Sequence, residues 1–254
     1  MVGLKEFSKS CKIMEEKEQK TIPIFIGYDF RERAATNVLI DSLYQNSTHP
    51  LSITPIVKNQ LVKQGFHSRV KDKNQSTEFS FTRFLVPYLM NFKGWAIFMD
   101  CDMLCLADIT KLWDQRDENY SLLCVKHEHN PTENVKFLGE KQIAYPKKNW
   151  SSLMLMNCKK CNSLTIDYVN NASGLDLHRF NWLDSDDQIG EIKGLGWNQL
   201  ITSETSKNSD KKNLNPKLIH WTLGGPWFKD QRNMGGDFAT DWFNARDESM
   251  KLWD

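Results

Sequence analysis

Two carboxylates, Asp100 and Asp102, follow directly after the apolar run WAIFM at residues 95–99. A run without polar residues favours a strand that is buried on both faces of a sheet. Side chains alternate along a strand, so the two carboxylates point the same way, roughly 6.6 Å apart along the chain, while Cys101 points the other way. Ionised carboxylates at the end of a buried strand need a partner, and a shared cation would supply it.

The two carboxylates offer hard oxygen ligands, which suit Mg²⁺ or Mn²⁺, and these cations in turn bind diphosphates. In open α/β sheets, ligands bind beyond the carboxyl ends of the strands, which is where Asp100 and Asp102 are expected. A cation held there would neutralise the charge that develops on a phosphate leaving group. In a plainer interpretation, the two acids cap the next helix or pair with lysines.

Predicted strands and helices alternate around this motif. The segment TIPIFIGYDF predicts a strand, and the helix predicted after it carries on one face Ala35, Val38, Leu39, Ser42 and Leu43. Residues 51–62 predict a weaker second strand, and FSFTRFLVPYLMNF predicts a helix that is bent or restarted at Pro87. Further along, ADITKLW predicts a helix, and YSLLCVKH and WSSLMLMNC predict strands. This alternation predicts an α/β fold with a mainly parallel sheet.

We expect a single domain, which spans residues 21–230. Residues 1–20 predict an amphipathic flank, and residues 231–254 predict a helical tail that docks on the domain. Residues 126–149 show no sustained periodicity and predict a long loop or lid. Long loops inside a compact domain are often functional.

The composition excludes several classes of partner. The 254 residues include 33 Lys and Arg against 32 Asp and Glu, so no basic field is available to recruit nucleic acid or an anionic membrane. No apolar segment approaches the length of about 18 residues that a transmembrane helix needs. We therefore expect a soluble, cytoplasmic protein.

The six cysteines predict free thiols, because most lie among apolar residues and the chain is long enough to fold without a disulfide framework. The spacing of Cys158 and Cys161 leaves one alternative open. Together with Cys101 and Cys105, these two thiols would make a four-thiolate zinc site.

The order of motifs resembles a known family. FTRFLVPYLMNFKGWAIFMDCDMLCLADITKLW is similar to the segment of family 8 glycosyltransferases in which a helix with an arginine and a proline precedes a strand ending in Asp-x-Asp. Four more segments resemble family motifs in the family's order, namely FIGYDFRERAATNVLIDSL, WSSLMLMNC, DDQ with GLGWNQL, and KLIHWTLGGPW. The resemblance covers residues 22–228. It implies a GT-A type, Rossmann-like fold with a mixed, mainly parallel sheet flanked by helices, and a hexosyltransferase activity.

The resemblance also implies a metal centre and a donor. Asp100 and Asp102 would bind the metal and the donor ribose, and His220 would be the third protein ligand. An imidazole beside two carboxylates shifts the preference from Mg²⁺ towards Mn²⁺. The donor would be a nucleotide-diphosphate sugar, a UDP-sugar by resemblance, and the reaction would retain the anomeric configuration.

Other residues take roles from the resemblance. Asp29, with its neighbour Tyr28, would contact the nucleotide base or ribose, although Asp29 also suits a helix N-cap. Arg83 would lie near the donor phosphates or pair with a site carboxylate. Gln188 and Asp187 would lie beside the anomeric carbon, and because glutamine is a poor nucleophile, Gln188 would polarise or position the sugar.

The chain departs from the family pattern at two places. The family's lysine before Pro-Trp is replaced by Gly225, so a phosphate contact would have to come from backbone N–H groups of Gly224 and Gly225 or from Lys229. The family's Asn-Ala-Gly is replaced by Trp-Ser-Ser at residues 150–152. The contacts to the donor sugar are therefore expected to differ.

Two other functions are compatible with these residues. Haloacid-dehalogenase-like phosphatases also end an apolar strand in Asp-x-Asp, and they would use Asp100 as the nucleophile and Asp102 as the acid. The second alternative is a GT-A-like domain that binds a nucleotide sugar or glycan without turnover. The acceptor, whether a glycan, a lipid-linked sugar, a protein or a small molecule, is not readable from the sequence.

Overall fold

The computed structural model describes residues 19–70, 75–127, 147–201 and 215–251. Nearly all of the predicted flank at 1–20, most of the predicted loop at 126–149 and the end of the predicted tail lie outside the described residues. Within the described ranges, no helix combines the length and the apolar character that crossing a bilayer demands.

A six-stranded sheet forms the centre of the molecule. Its strands are β1 (Ile22–Gly27), β2 (Leu51–Ile56), β3 (Trp95–Met99), β5 (Leu122–Cys124), β6 (Leu153–Asn157) and β7 (Ile189–Glu191). Their order is β2-β1-β3-β6-β5-β7. Every strand runs in one direction except β6, which is antiparallel to both of its neighbours. The predicted mixed, mainly parallel α/β sheet is confirmed.

A second, smaller sheet lies beside the first. It consists of β4 (Met103–Cys105), β8 (Gln199–Leu200) and β9 (Leu218–His220), with β9 in the middle, antiparallel to β4 and parallel to β8. Only Asp100, Cys101 and Asp102 separate β3 from β4. The Asp-x-Asp segment is therefore the connection between the two sheets.

Seven α-helices accompany the sheets in the described ranges. They are α1 (Arg33–Gln45), α2 (Lys58–Lys63), α3 (Val86–Leu89), α4 (Thr110–Trp113), α5 (Ile166–Asn171), α6 (Gly174–His178) and α7 (Asp237–Ser249). Helix α1 buries the predicted face of Ala35, Val38, Leu39, Ser42 and Leu43. Helix α7 packs on α1 and β9 through a cluster that includes Val38, Ile219, Phe238 and Trp242.

Two predicted elements differ in detail from the structure. The second strand ends at Ile56, and Leu61 instead lies on α2, where its side chain is buried. The predicted bent helix is a 3-10 turn at Thr82–Leu85 followed by α3, and Pro87 occupies the first turn of α3. Proline is tolerated there because the first helical N–H groups have no partner within the helix.

The cysteines do not form a metal site or a disulfide in the described ranges. Cys101, Cys105, Cys124, Cys158 and Cys161 are free and buried. Burial raises the pKa of the Cys105 and Cys158 thiols to about 12, so both are neutral thiols. The four-thiolate zinc alternative is not formed, because the ligand group that the described residues bring together contains no cysteine.

Candidate functional site

Asp100, Asp102 and His220 meet where the two sheets join. The register of the small sheet pairs Met103 with His220, and the N–H of Trp221 donates to the Asp102 carbonyl at 3.0 Å. His220 Nε2 lies 3.2 Å from Asp102 Oδ1 and 3.9 Å from Asp100 Oδ2. One ligand atom from each of the three side chains lies within 4.8 Å of the other two. The strand pairing thus assembles the predicted triad.

The triad fits a divalent cation. Arg83 Nη1 lies 2.8 Å from the buried Asp100 Oδ1, and His220 Nε2 lies 3.2 Å from the buried Asp102 Oδ1. One guanidinium offsets only one of the two carboxylates, so a divalent cation bound by the triad would offset the other. Two carboxylates with one imidazole are a ligand set that suits Mn²⁺ as well as Mg²⁺.

Burial and neighbouring charges change the pKa values of Asp100 and His220. Burial raises the pKa of Asp100 to about 6, and the nearby Arg83 and His220 only partly oppose this shift. Burial disfavours the charged form of His220, but Asp102 and Asp100 outweigh that cost, and the pKa of His220 is raised. Protons and a metal ion would compete for the same ligand atoms, as they do in metal sites generally.

Arg83 supports Asp100 from the interior. Its Nη1 lies 2.8 Å from Asp100 Oδ1 and donates to the Ser151 carbonyl at 2.9 Å. The guanidinium carbon lies 5.2 Å from the Phe79 ring centroid and 5.1 Å from that of Phe98. Arg83 was expected either near the donor phosphates or paired with a site carboxylate, and in the structure it is paired with Asp100.

A hydrogen-bond chain that the sequence did not reveal orients His220. Ser152 Oγ donates to the Asn149 carbonyl at 2.6 Å, so it must accept the bond from Asn198 Nδ2 at 2.9 Å. The Asn198 Oδ1 atom therefore faces His220 Nδ1, at 2.8 Å, and Nδ1 must carry a proton. In the neutral imidazole, this leaves the lone pair on Nε2, which faces the aspartates.

Replacement of Asn198 should weaken metal binding without removing a ligand. Asn198 has a φ of 52°, a left-handed conformation that glycine adopts without strain. In an Asn198→Gly variant His220 loses its orienting acceptor, and we expect about 10- to 100-fold weaker Mn²⁺ binding, the usual effect of losing such a partner. Isothermal titration of Mn²⁺ measures it. Asn157→Gly is the control, since Asn157 is also buried but lies at the other end of β6 and bonds Glu118. Equal losses in both variants would contradict the orienting role.

Asp29 and Tyr28 lie at the same edge of the sheet as the triad. Their strand β1 is parallel to β3, and Ile26 pairs with Met99, just before each chain leaves the sheet. Asp29 is fully buried and accepts hydrogen bonds from the N–H and guanidinium of Arg31 and from the N–H of Glu78. Burial opposes ionisation of Asp29, but these bonds outweigh it and lower the Asp29 pKa. Asp29 also caps the 3-10 turn at Phe30–Glu32.

The backbone of Gln188 enters the large sheet at the edge opposite to the triad. Gln188 immediately precedes β7, and its carbonyl accepts the N–H of Ser121, immediately before β5. Both strands run parallel to β3, so Gln188 lies at the amino edge of the sheet, whereas Asp100 lies at the carboxyl edge. A five-residue strand separates the two edges by about 16 Å. The neighbouring Asp186 nevertheless pairs with Lys147, whose carbonyl accepts the N–H of Trp150, so the expected position of Gln188 and Asp187 beside the anomeric carbon stays a prediction.

One of the two backbone N–H groups expected to form an anion nest in the closing motif is already used. The N–H of Gly224 already donates to the Trp221 carbonyl at 3.2 Å. At Gly225, an added Cβ would lie 2.2 Å from Cζ3 of Trp227, so the indole excludes any larger side chain, including the family's lysine. Lys229 is exposed and begins a 3-10 turn.

An alanine at Gly225 should therefore destabilise the protein. We expect Gly225→Ala to cost about 1–3 kcal/mol in the free energy of unfolding, the usual range for overpacking, because the indole of Trp227 must move. Trp227 is packed against Trp221 and Trp242, with ring centroids at 5.8 Å and 5.6 Å. Urea denaturation measures the cost. In a Trp227→Leu background the same substitution should cost much less, and an equal cost in both backgrounds would contradict the explanation.

Comparison with known proteins places the chain among relatives of one plant protein. No protein-family model matches the chain. Over 236 residues it is 43% identical to Protein CDI of Arabidopsis thaliana, and the alignment covers 92% of this chain and 89% of that protein.

Several solved glycosyltransferases share the fold. The chain aligns with the bifunctional glycosyltransferase WbbM at a TM-score of 0.60 and 15% identity, covering 92% of this chain but only 50% of WbbM. With the galactosyltransferase LgtC the TM-score is 0.55 at 12% identity, over 92% and 98% of the two chains. With GlyE of Streptococcus pneumoniae TIGR4 it is 0.56 at 15% identity, over 92% and 62%. These likenesses show the GT-A fold, while membership of family 8 stays a prediction.

Proposed function

This chain belongs to the same family as Protein CDI of Arabidopsis thaliana, and we propose that it is a metal-dependent glycosyltransferase that uses a nucleotide-diphosphate sugar. The observation that carries the proposal is the triad of Asp100, Asp102 and His220, which lies at the carboxyl edge of a GT-A type sheet. Ligands of open α/β sheets bind at this edge. By resemblance, the donor is a UDP-sugar and the reaction retains the anomeric configuration.

The roles of the residues follow from their positions. A bound Mn²⁺ or Mg²⁺, held by the triad, would neutralise charge on the departing diphosphate. Arg83 fixes the orientation of Asp100, and Asn198 fixes that of His220. Asp29 and Tyr28 border the position expected for the nucleotide. In the transfer, the bond from the anomeric carbon to the diphosphate oxygen breaks, a bond to the acceptor oxygen forms, and the acceptor proton passes to the leaving diphosphate.

A thermal-shift screen of nucleotide sugars, with and without Mn²⁺, tests the proposal. A ligand that binds only the folded state raises the melting temperature. We expect at least one UDP-sugar to raise it when Mn²⁺ is present and to have little effect when the metal is chelated. No response to any nucleotide sugar would contradict the proposal, and release of phosphate from phosphomonoesters in Mg²⁺ would then favour the phosphatase alternative.

A second candidate is a domain of this fold that binds a nucleotide sugar without turnover. Gly225 favours it, because Trp227 excludes from this position the lysine that would reach the donor phosphate. The two candidates differ in donor hydrolysis. Slow release of free sugar from the stabilising UDP-sugar, dependent on Mn²⁺, is expected of an enzyme and is absent from a binding domain.

A further inference from the structure

A histidine outside the triad lies at the same edge of the sheet. His127 follows β5 by three residues, and its carbonyl accepts the indole N–H of Trp150 at 3.0 Å. Since β5 and β3 run in the same direction with β6 between them, His127 and Asp100 both lie beyond the carboxyl ends of their strands. His127 is also close enough to His220 for the charge of one imidazole to influence the other, so it lies on the triad's side of the sheet.

The side chain of His127 has an unused hydrogen-bonding atom. Its Nε2 is buried and has no hydrogen-bond partner among the described residues. Burial, with a smaller contribution from the nearby His220, lowers the pKa of His127 to about 4, so the imidazole is neutral at pH 7. Buried polar atoms are nearly always paired, and an unpaired one at a candidate site needs an explanation.

The missing partner of Nε2 is not the metal ion. The group of ligand atoms that lie within 4.8 Å of one another consists of Asp100, Asp102 and His220, and His127 is outside it. A neutral imidazole nitrogen is suited to a group that can both donate and accept a hydrogen bond, because either tautomer then finds a partner. A sugar hydroxyl is such a group, whereas a diphosphate oxygen only accepts.

We propose that His127 binds the sugar of the donor, and that its Nε2 hydrogen-bonds a sugar hydroxyl. This inference rests on the proposed function. His127 would contribute to the choice of sugar and would leave the nucleotide and the metal unaffected. His127 lies at the start of residues 126–149, where the sequence predicts a long loop but no site residue.

Binding measurements on a His127→Phe variant test the inference. In saturating Mn²⁺, calorimetry compares UDP with UDP-glucose and UDP-galactose. The affinity for UDP should stay within about twofold, while the affinity for the preferred UDP-sugar falls about tenfold, the usual scale of one lost hydrogen bond. A His127→Asn variant keeps a polar side chain and should recover part of the loss. The unliganded Phe variant should melt no lower than the wild type, since an unpaired polar atom has been removed.

His67→Phe is the matched control. His67 is buried, whereas His127 is half-buried, but like His127 it has a pKa of about 4 and a buried ring nitrogen, Nδ1, that is unpaired among the described residues. It lies beside Lys58 and Arg69, beyond α2. The affinity of the His67→Phe variant for the UDP-sugar should not change. An unchanged UDP-sugar affinity in His127→Phe, or equal losses for UDP and UDP-sugar, would overturn the inference. A wild-type protein that binds no nucleotide sugar would instead overturn the proposed function, so the two failures are distinguishable.

Discussion

An Asp102→Asn variant is expected to lose about 10²- to 10³-fold in the rate of transfer, the scale of removing one group that stabilises a developing charge. Asp102 is the aspartate that contacts His220 most closely, at 3.2 Å, and its Oδ1 lacks an aligned hydrogen bond. Asparagine keeps the shape of the side chain but removes the charge that a divalent cation needs. Without metal the variant should lose some stability at acidic pH, because Asp102 is the closest charge partner of the buried His220 and helps to raise the pKa of its imidazole.

Two measurements check the Asp102 prediction. Turnover of the UDP-sugar found in the screen gives the rate, and Mn²⁺ titration shows whether the loss comes from the metal. Asp186→Asn is the control, because Asp186 is an exposed carboxylate paired with Lys147, with no contact to the triad. Near-normal turnover in Asp102→Asn, with Mn²⁺ still bound, would remove Asp102 from the metal centre.

An Arg83→Met variant is expected to be destabilised by about 3–5 kcal/mol, the cost of breaking a buried ion pair on one side. Arg83 is 5% exposed and Asp100 is 9% exposed, so solvent cannot replace the guanidinium. The substitution also leaves the Ser151 carbonyl without its donor. Lysine is not an adequate substitute, because a point charge cannot bond Asp100 and Ser151 in the same planar arrangement.

Urea denaturation of single and double variants checks the Arg83 prediction. If the cost comes from an unpaired Asp100 charge, the double variant Arg83→Met with Asp100→Asn should recover part of the stability. Two fully additive losses would mean that Arg83 acts through its packing between Phe79 and Phe98 and that the ion pair contributes little.

The part of the site that is encoded locally could be predicted from the sequence. A strand buried on both faces needs a continuous apolar run, and residues 95–99 supply one directly before Asp100. The position of the two aspartates at the carboxyl edge follows from that run alone. The face of α1 follows in the same way from the spacing of its apolar residues.

The part that depends on pairing between distant segments could not be predicted. Strand β6 has an apolar sequence like those of its neighbours, and nothing in that sequence reveals that it runs antiparallel to them. The DDQ segment that contains Gln188 resembles the family motif, but its sequence does not reveal at which edge of the sheet the segment lies. The role of Asn198 depends on Ser152 and His220, which only the fold brings together.

The connection between the two sheets sets an order of events during synthesis. Both aspartates lie in the segment before β4, but His220 lies on β9, more than a hundred residues later in the chain. A growing polypeptide that has emerged only as far as β8 contains the carboxylates and the orienting Asn198 but not the imidazole. Because domains fold as their residues emerge from the ribosome, we expect the triad to be completed only when β9 inserts between β4 and β8. Chains interrupted before that point would hold the ion weakly, however well their large sheet is formed.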